Sequence, residues 1–181
     1  RTYEYDAGGR LLAVNEPGVK EGGTTKYYTY QWIYNDAVPS VTQLIRDTSD
    51  TSGTNFYDKS ILIYDPLGRL TQEQKIIGGS AQTVRSLEYN QRSKVSRETL
   101  HGNNASQDIV TTYAYDPLGR PYRTIYGTSA TTSPRNYVEV KHIDGLEPII
   151  ETTDTRGFVT KEYFDQAGRR IKVEAAISSG V

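Results

Sequence analysis

Four carboxylates recur in one local setting, at Asp6, Asp65, Asp116 and Asp165, each four residues ahead of an arginine: Arg10, Arg69, Arg120 and Arg169. Paired carboxylates facing one cleft do general acid and base work when their pKa values are driven apart. Each of these Asp residues instead sits beside the Pro or Gly that a tight turn requires, so a structural role is expected. The arginines suit either a ladder for anionic glycans or pairing with the turn Asp and with acidic neighbours on adjacent strands; pairing is the expectation. His101 and His142 lie 41 residues apart, neither with a His or Cys at ligand spacing, so no metal centre is expected. Asp47 and Asp50 sit among Ser and Thr but lack the Gly and terminal Glu spacing of an EF-hand calcium loop. Asn104-Ala105-Ser106 is a glycosylation sequon, meaningful only in a eukaryotic secretory pathway. No catalytic, metal or cofactor site is expected, and no enzyme.

The elements that hold these residues follow from one repeated hexapeptide. It reads Tyr5-Asp6-Ala7-Gly8-Gly9-Arg10, Tyr64-Asp65-Pro66-Leu67-Gly68-Arg69, Tyr115-Asp116-Pro117-Leu118-Gly119-Arg120 and Phe164-Asp165-Gln166-Ala167-Gly168-Arg169. A worn copy is Tyr89-Asn90-Gln91-Arg92-Ser93-Lys94. Repetition of a short pattern means reuse of one supersecondary unit. Asp opens a type I turn, Pro suits the next position, and Gly accepts a left-handed conformation. A type I turn followed by left-handed Gly makes a hairpin with a bulge.

Flanking residues agree, since Tyr3 and Tyr5, Leu62 and Tyr64, Leu87 and Tyr89, and Tyr113 and Tyr115 alternate with their neighbours. A period of two predicts strands with one better-buried face. Val41 to Asp47 reads as a strand, and no window holds a helical period for three turns. The turn residues are spaced 59, 25, 26 and 49 apart, so each long gap hides a degenerate copy. Tyr34-Asn35-Asp36 is the candidate in the first gap; in the second, His142-Ile143-Asp144-Gly145 and Asp154-Thr155-Arg156-Gly157 are both possible. Six or seven hairpins are expected over residues 1–174, with 175–181 a tail or a continuation. Polar connectors at 21–25, 47–54, 101–106 and 127–134 suit loops on one rim of a sheet.

The repeated Tyr-Asp-x-x-Gly-Arg resembles the YD repeat of the RHS family, and the run Asp154–Arg169 resembles that family's longer consensus. The resemblance implies an all-β spiral of antiparallel β-hairpins, part of a hollow shell. In bacterial toxins of the family such a shell encloses a toxic effector domain; the teneurins carry related repeats. It implies a non-catalytic wall segment, secreted or at the cell surface. Its partners would be the remainder of a larger chain and an enclosed effector. Asp65-Pro66 and Asp116-Pro117 look superficially like part of the self-cleavage motif of some relatives, but both lie in intact repeats and no cleavage is expected. The alternative is an adhesive module that binds cell-surface glycans through exposed Tyr and Trp32.

Composition is consistent with a thin sheet. Of 181 residues 35% are hydrophobic, mean hydropathy is −0.64, and there are 15 Tyr but three Phe and no Met. Tyrosine packs a ring while its hydroxyl reaches water or a backbone. Net charge is −1 from 21 basic and 22 acidic residues, interspersed, so no nucleic-acid surface is expected. No apolar run suits a membrane span. Cysteine is absent, which excludes disulfides. A start at Arg1 without any Met points to a piece of a longer polypeptide.

Overall fold

The computed structural model describes residues 1–21, 24–47, 56–132 and 134–176. Sixteen strands follow in order. The first eight are β1 (Thr2–Tyr5), β2 (Leu11–Asn15), β3 (Val19–Glu21), β4 (Thr24–Lys26), β5 (Tyr28–Asn35), β6 (Ser40–Asp47), β7 (Phe56–Tyr64) and β8 (Leu70–Ile77). Then come β9 (Ser80–Tyr89), β10 (Val95–Leu100), β11 (Ile109–Tyr115), β12 (Pro121–Tyr126), β13 (Tyr137–Ile143), β14 (Ile149–Thr153), β15 (Val159–Phe164) and β16 (Arg170–Ala176). Among the described residues there is no α-helix, and Ala105–Gln107 forms a single 3-10 turn. The all-β class built of consecutive antiparallel hairpins is therefore what the chain adopts.

Fourteen strands pair in chain order in one sheet, and β3 with β4 forms a separate hairpin. Because antiparallel neighbours alternate in direction, every second connection lies on the same rim. The chain divides into two compact units, Arg1–Ser86 and Leu87–Val181. In the first unit one rim carries the turns at Asp6–Arg10, Asp36–Pro39 and Asp65–Arg69. In the second unit one rim carries Asn90–Lys94, Asp116–Arg120, Asp144–Pro148 and Asp165–Arg169. These are seven corners in all, counting one between each of β1/β2, β5/β6, β7/β8, β9/β10, β11/β12, β13/β14 and β15/β16. The loops at 101–108 and 127–136 lie on the opposite rim of the second unit.

The expected bulges are present at the corner aromatics. Register shifts fall between Glu4 and Tyr5, Ile63 and Tyr64, Ala114 and Tyr115, and Tyr163 and Phe164. The left-handed positions are Gly9, Gly68, Gly119 and Gly168, with φ between 74° and 80°. In the worn copy Ser93 takes the same conformation at φ 58°, a strained one for a residue with a Cβ.

Burial departs from the alternation the sequence suggests. Only Ala13, Val14, Leu44 and Leu87 are buried apolar residues among those described, with Ser60 and Thr99 the buried polar ones. Strands β14 and β15 are half-buried at every residue, so both faces share cover. Within each unit the described strands pack chiefly against their neighbours in the sheet, so side chains are shielded mainly by residues along and across adjacent strands. Residues 22, 23, 48–55, 133 and 177–181 lie outside the described residues, among them Asp50, most of the 47–54 connector and most of the segment 175–181.

Candidate functional site

Each of the four full copies of the corner is built around one carboxylate. Asp65 Oδ1 accepts from the backbone N–H of Leu67 at 2.9 Å and of Arg69 at 3.0 Å, while Oδ2 accepts from Arg69 Nε at 2.7 Å. The backbone closes beneath it, with Asp65 N–H donating to the Arg69 carbonyl and Gly68 N–H to the Asp65 carbonyl. Asp6 and Asp165 repeat the whole set with Arg10 and Arg169. Asp116 takes the Arg120 N–H and Nε, both at 2.8 Å. Asn90 keeps the two backbone contacts, from Arg92 and Lys94, but its neutral amide has no second oxygen and no charge to hold a cation.

These contacts fix the electrostatics. Arginine hydrogen bonds hold the carboxyls of Asp6 and Asp65 below the usual range, helped by backbone N–H groups. For Asp165 the backbone bond from Arg169 is the largest cause, with its side chain next. Burial pulls Asp116 upward, and the Arg120 contacts outweigh it, leaving that carboxyl low as well. A carboxylate held ionised and saturated with donors is a poor general acid.

The second-gap alternatives resolve to two turns of different kinds. Asp154 reproduces the corner: its Oδ1 accepts from Arg156 and Phe158 N–H, and Gly157 has φ 86°. It joins β14 to β15, on the rim opposite the corners. Asp144 opens a five-residue corner that ends at Pro148, and the corner that Asp36 opens is one residue shorter and ends at Pro39. The following aromatic strand residue closes on each proline: Tyr64 N–H donates to the Pro39 carbonyl and Phe164 N–H to the Pro148 carbonyl.

Neighbouring corners on a rim are also tied to each other. Arg10, while holding Asp6, sends Nη1 to Asp36 at 2.8 Å, and its guanidinium lies 4.4 Å from the Tyr34 ring centre. Arg120 likewise holds Asp116 and grips Asp144 at 2.6 and 3.1 Å. In the worn copy Arg92 takes over, donating to the Pro117 carbonyl at 2.5 Å. Contacts also run backward. Tyr34 donates to the Leu11 carbonyl at 3.1 Å and Tyr115 to the Val95 carbonyl at 2.8 Å. His142 Nε2 meets the Pro121 carbonyl at 3.2 Å. Leu11, Val95 and Pro121 all directly follow the Arg or Lys of a corner, so His142 stands where a tyrosine stands elsewhere.

The remaining candidates disperse. His101 Nδ1 lies 3.0 Å from Asp108, which also accepts from Gly102 N–H, so this pair shapes the 101–108 loop. Asn104 caps the 3-10 turn through Ser106 N–H. Among the described residues no group of three or more His, Asp or Glu side chains is placed to hold a metal.

On one face of the second unit, Lys141, Glu151, Lys161 and Glu174 stand opposite one another across β13 to β16. Lys161 reaches Glu151 at 3.1 Å, and Glu139 is held between Arg123 and Arg135. A shallow cleft of about 380 Å³ opens beside Tyr122, Glu139, His142 and Glu151.

The class defined by fold and site is a repeat-built all-β chain whose recurring residues serve its turns. No family model matches it, and no curated protein matches it. Sequence reasoning named the corner residues but missed Asp36, Asp144, Arg92 and His142 as links between corners. A usable signal existed for two of them: Asp36 and Asp144 follow Arg10 and Arg120 by 26 and 24 residues, close to the short corner spacing.

Proposed function

We propose that this chain is a non-catalytic segment of a YD-repeat wall of the RHS kind, one that encloses, carries or displays an effector domain. The observation that carries this is the use of the repeated motif: Asp6, Asp65, Asp116 and Asp165 each bind their own turn and their own arginine. Such carboxylates offer nothing to a substrate and much to a barrier. A wall works by sheet continuity and steric exclusion, and interlocked corners keep strands in register. The partners are the rest of a larger chain and its contents, in a secreted or cell-surface setting. No helix among the described residues is long and apolar enough to cross a membrane.

The test is made on the protein as its source produces it. A longer polypeptide is expected, in which a domain borne with this segment resists added protease until corner substitutions such as Asp65→Ala and Asp116→Ala open the sheet. A free-standing 181-residue product, or a borne domain digested equally in both forms, would refute the wall.

One observation favours a second reading, glycan adhesion: Tyr122 is 39% exposed at the rim of the cleft, and Tyr3, Tyr5 and Tyr126 are more exposed still. Saturable binding on a glycan panel, lost in Tyr122→Ala, would support it.

A further inference from the structure

We propose that Asp144-Gly145 is a self-modification site, where the aspartyl residue converts through a cyclic imide to isoaspartate, and that Arg120 is the group that restrains it. This stands whether or not the wall reading holds.

The first observation is chemical. Imide formation brings the aspartyl carboxyl carbon onto the next residue's backbone nitrogen, and a side chain on that next residue obstructs the approach. Of all the Asp residues only Asp144 is followed by Gly, and no Asn is. Asp65 and Asp116 precede proline, whose nitrogen has no proton to give up.

The second observation is structural. Every other corner bonds its own backbone. One side-chain oxygen of Asp6, Asp65, Asn90, Asp116 or Asp165 accepts from N–H groups of its turn, and Asn35 accepts from Ala37 and Val38. The corner from Asp144 to Pro148 contains no internal hydrogen bond among the described residues. Asp144, Gly145, Leu146 and Glu147 are all exposed. The reacting nitrogen and carboxyl are therefore open to water and locked by no turn bond. Their restraint comes from the next corner, where the Arg120 guanidinium grips both carboxylate oxygens at 2.6 and 3.1 Å. That contact also holds the Asp144 carboxyl ionised, below its usual range. An ionised carboxylate resists attack, because the ring closes by losing water from the neutral acid.

In the ring-closing step the Gly145 nitrogen adds to Cγ of the neutral acid. The N–Cγ bond forms, a Cγ–O bond breaks, and that oxygen leaves as water with the carboxyl proton and the amide proton. Water then opens the ring. Attack at Cγ restores aspartate, whereas attack at the Asp144 main-chain carbonyl gives isoaspartate. The product's main chain runs through Cβ and Cγ, one atom longer, and its carboxylate sits on Cα. Arg120 then loses its paired grip, so conversion releases the link between two corners.

Peptide mapping tests this on the protein as its source produces it, after long warm incubation near neutral pH. Isoaspartate is read by electron-transfer fragmentation and by methyl transfer from an isoaspartyl methyltransferase. It is expected at 144 ahead of every other aspartate. Arg120→Ala should raise the rate about threefold or more, the scale of an exposed ion pair. Asp116→Asn disturbs the same corner but leaves Arg120 on Asp144, so it should leave the rate unchanged. Gly145→Ala should bring residue 144 down to the level of the other aspartates. That alanine fits the fold, since a Cβ at Gly145 meets nothing within 4 Å and the backbone there is not left-handed. No isoaspartate at 144, a rate in Arg120→Ala equal to wild type or matched by Asp116→Asn, or a Gly145→Ala chain that converts as fast would each overturn the proposal.

Discussion

The carboxylate of Asp65 takes two backbone N–H groups and a guanidinium at once, so the turn, the bulge after it and the arginine rotamer are all set by one side chain. Two outcomes follow at this scale. The lowered carboxyls at Asp6, Asp65, Asp116 and Asp165 make stability depend on pH. A carboxyl whose folded pKa lies below its unfolded value stabilises the fold above the unfolded value, and this is lost as pH falls through the folded one. The urea midpoint should therefore be flat near neutrality and decline once pH drops below about 4. A midpoint that rises on acidification would contradict the ionised corners. The second outcome concerns backbone strain. Ser93 occupies the left-handed slot that glycine fills elsewhere, so Ser93→Gly should stabilise by up to about 1 kcal/mol, and Gly68→Ala should destabilise by about 1 kcal/mol or more. Thermal melts of both variants, moving in opposite directions, are the check.

Hairpins are joined by contacts that belong to no single hairpin. Arg120 closes its own corner and also grips Asp144, which opens the next, so the two carboxylates share one cation. Arg120→Ala should lower the melting temperature more than Asp144→Ala does. Adding Asp144→Ala to Arg120→Ala should cost little further, because the pair is already broken. Additive losses would show that the link carries no coupling. His142 supplies the backward contact that tyrosine makes in other units. His142→Tyr should therefore keep the melting temperature where His142→Ala lowers it. The corner motif was legible in the sequence, whereas these links were not: Tyr34, Arg92 and His142 reach partners 23, 25 and 21 residues away. Strand length and register, which no local pattern reports, place them there.

Across each unit, stability comes from neighbour-to-neighbour contact in the manner of repeat proteins, with few fully buried positions. Leu44 is 5% exposed, set between Gln31 and Lys59 on the adjoining strands. Leu44→Ala should cost about 2–3 kcal/mol, the low end for a buried leucine. Chemical denaturation of the variant measures it, and a loss near zero would mean that side-chain cover contributes less than the ladder and corners.

Turn chemistry acts within five residues, through a carboxylate bonding to nearby N–H groups and a glycine free of steric cost. For that reason the hairpins at Asp6, Asp65, Asn90, Asp116 and Asp165, and the strands between them, were determined by the sequence alone. Asp154 was legible as a turn for the same reason, but its rim was not, because rim depends on how many strands precede it. Which corner grips which, and where His142 replaces a tyrosine, were decided only when the strands paired, since those contacts depend on distance in space across the sheet.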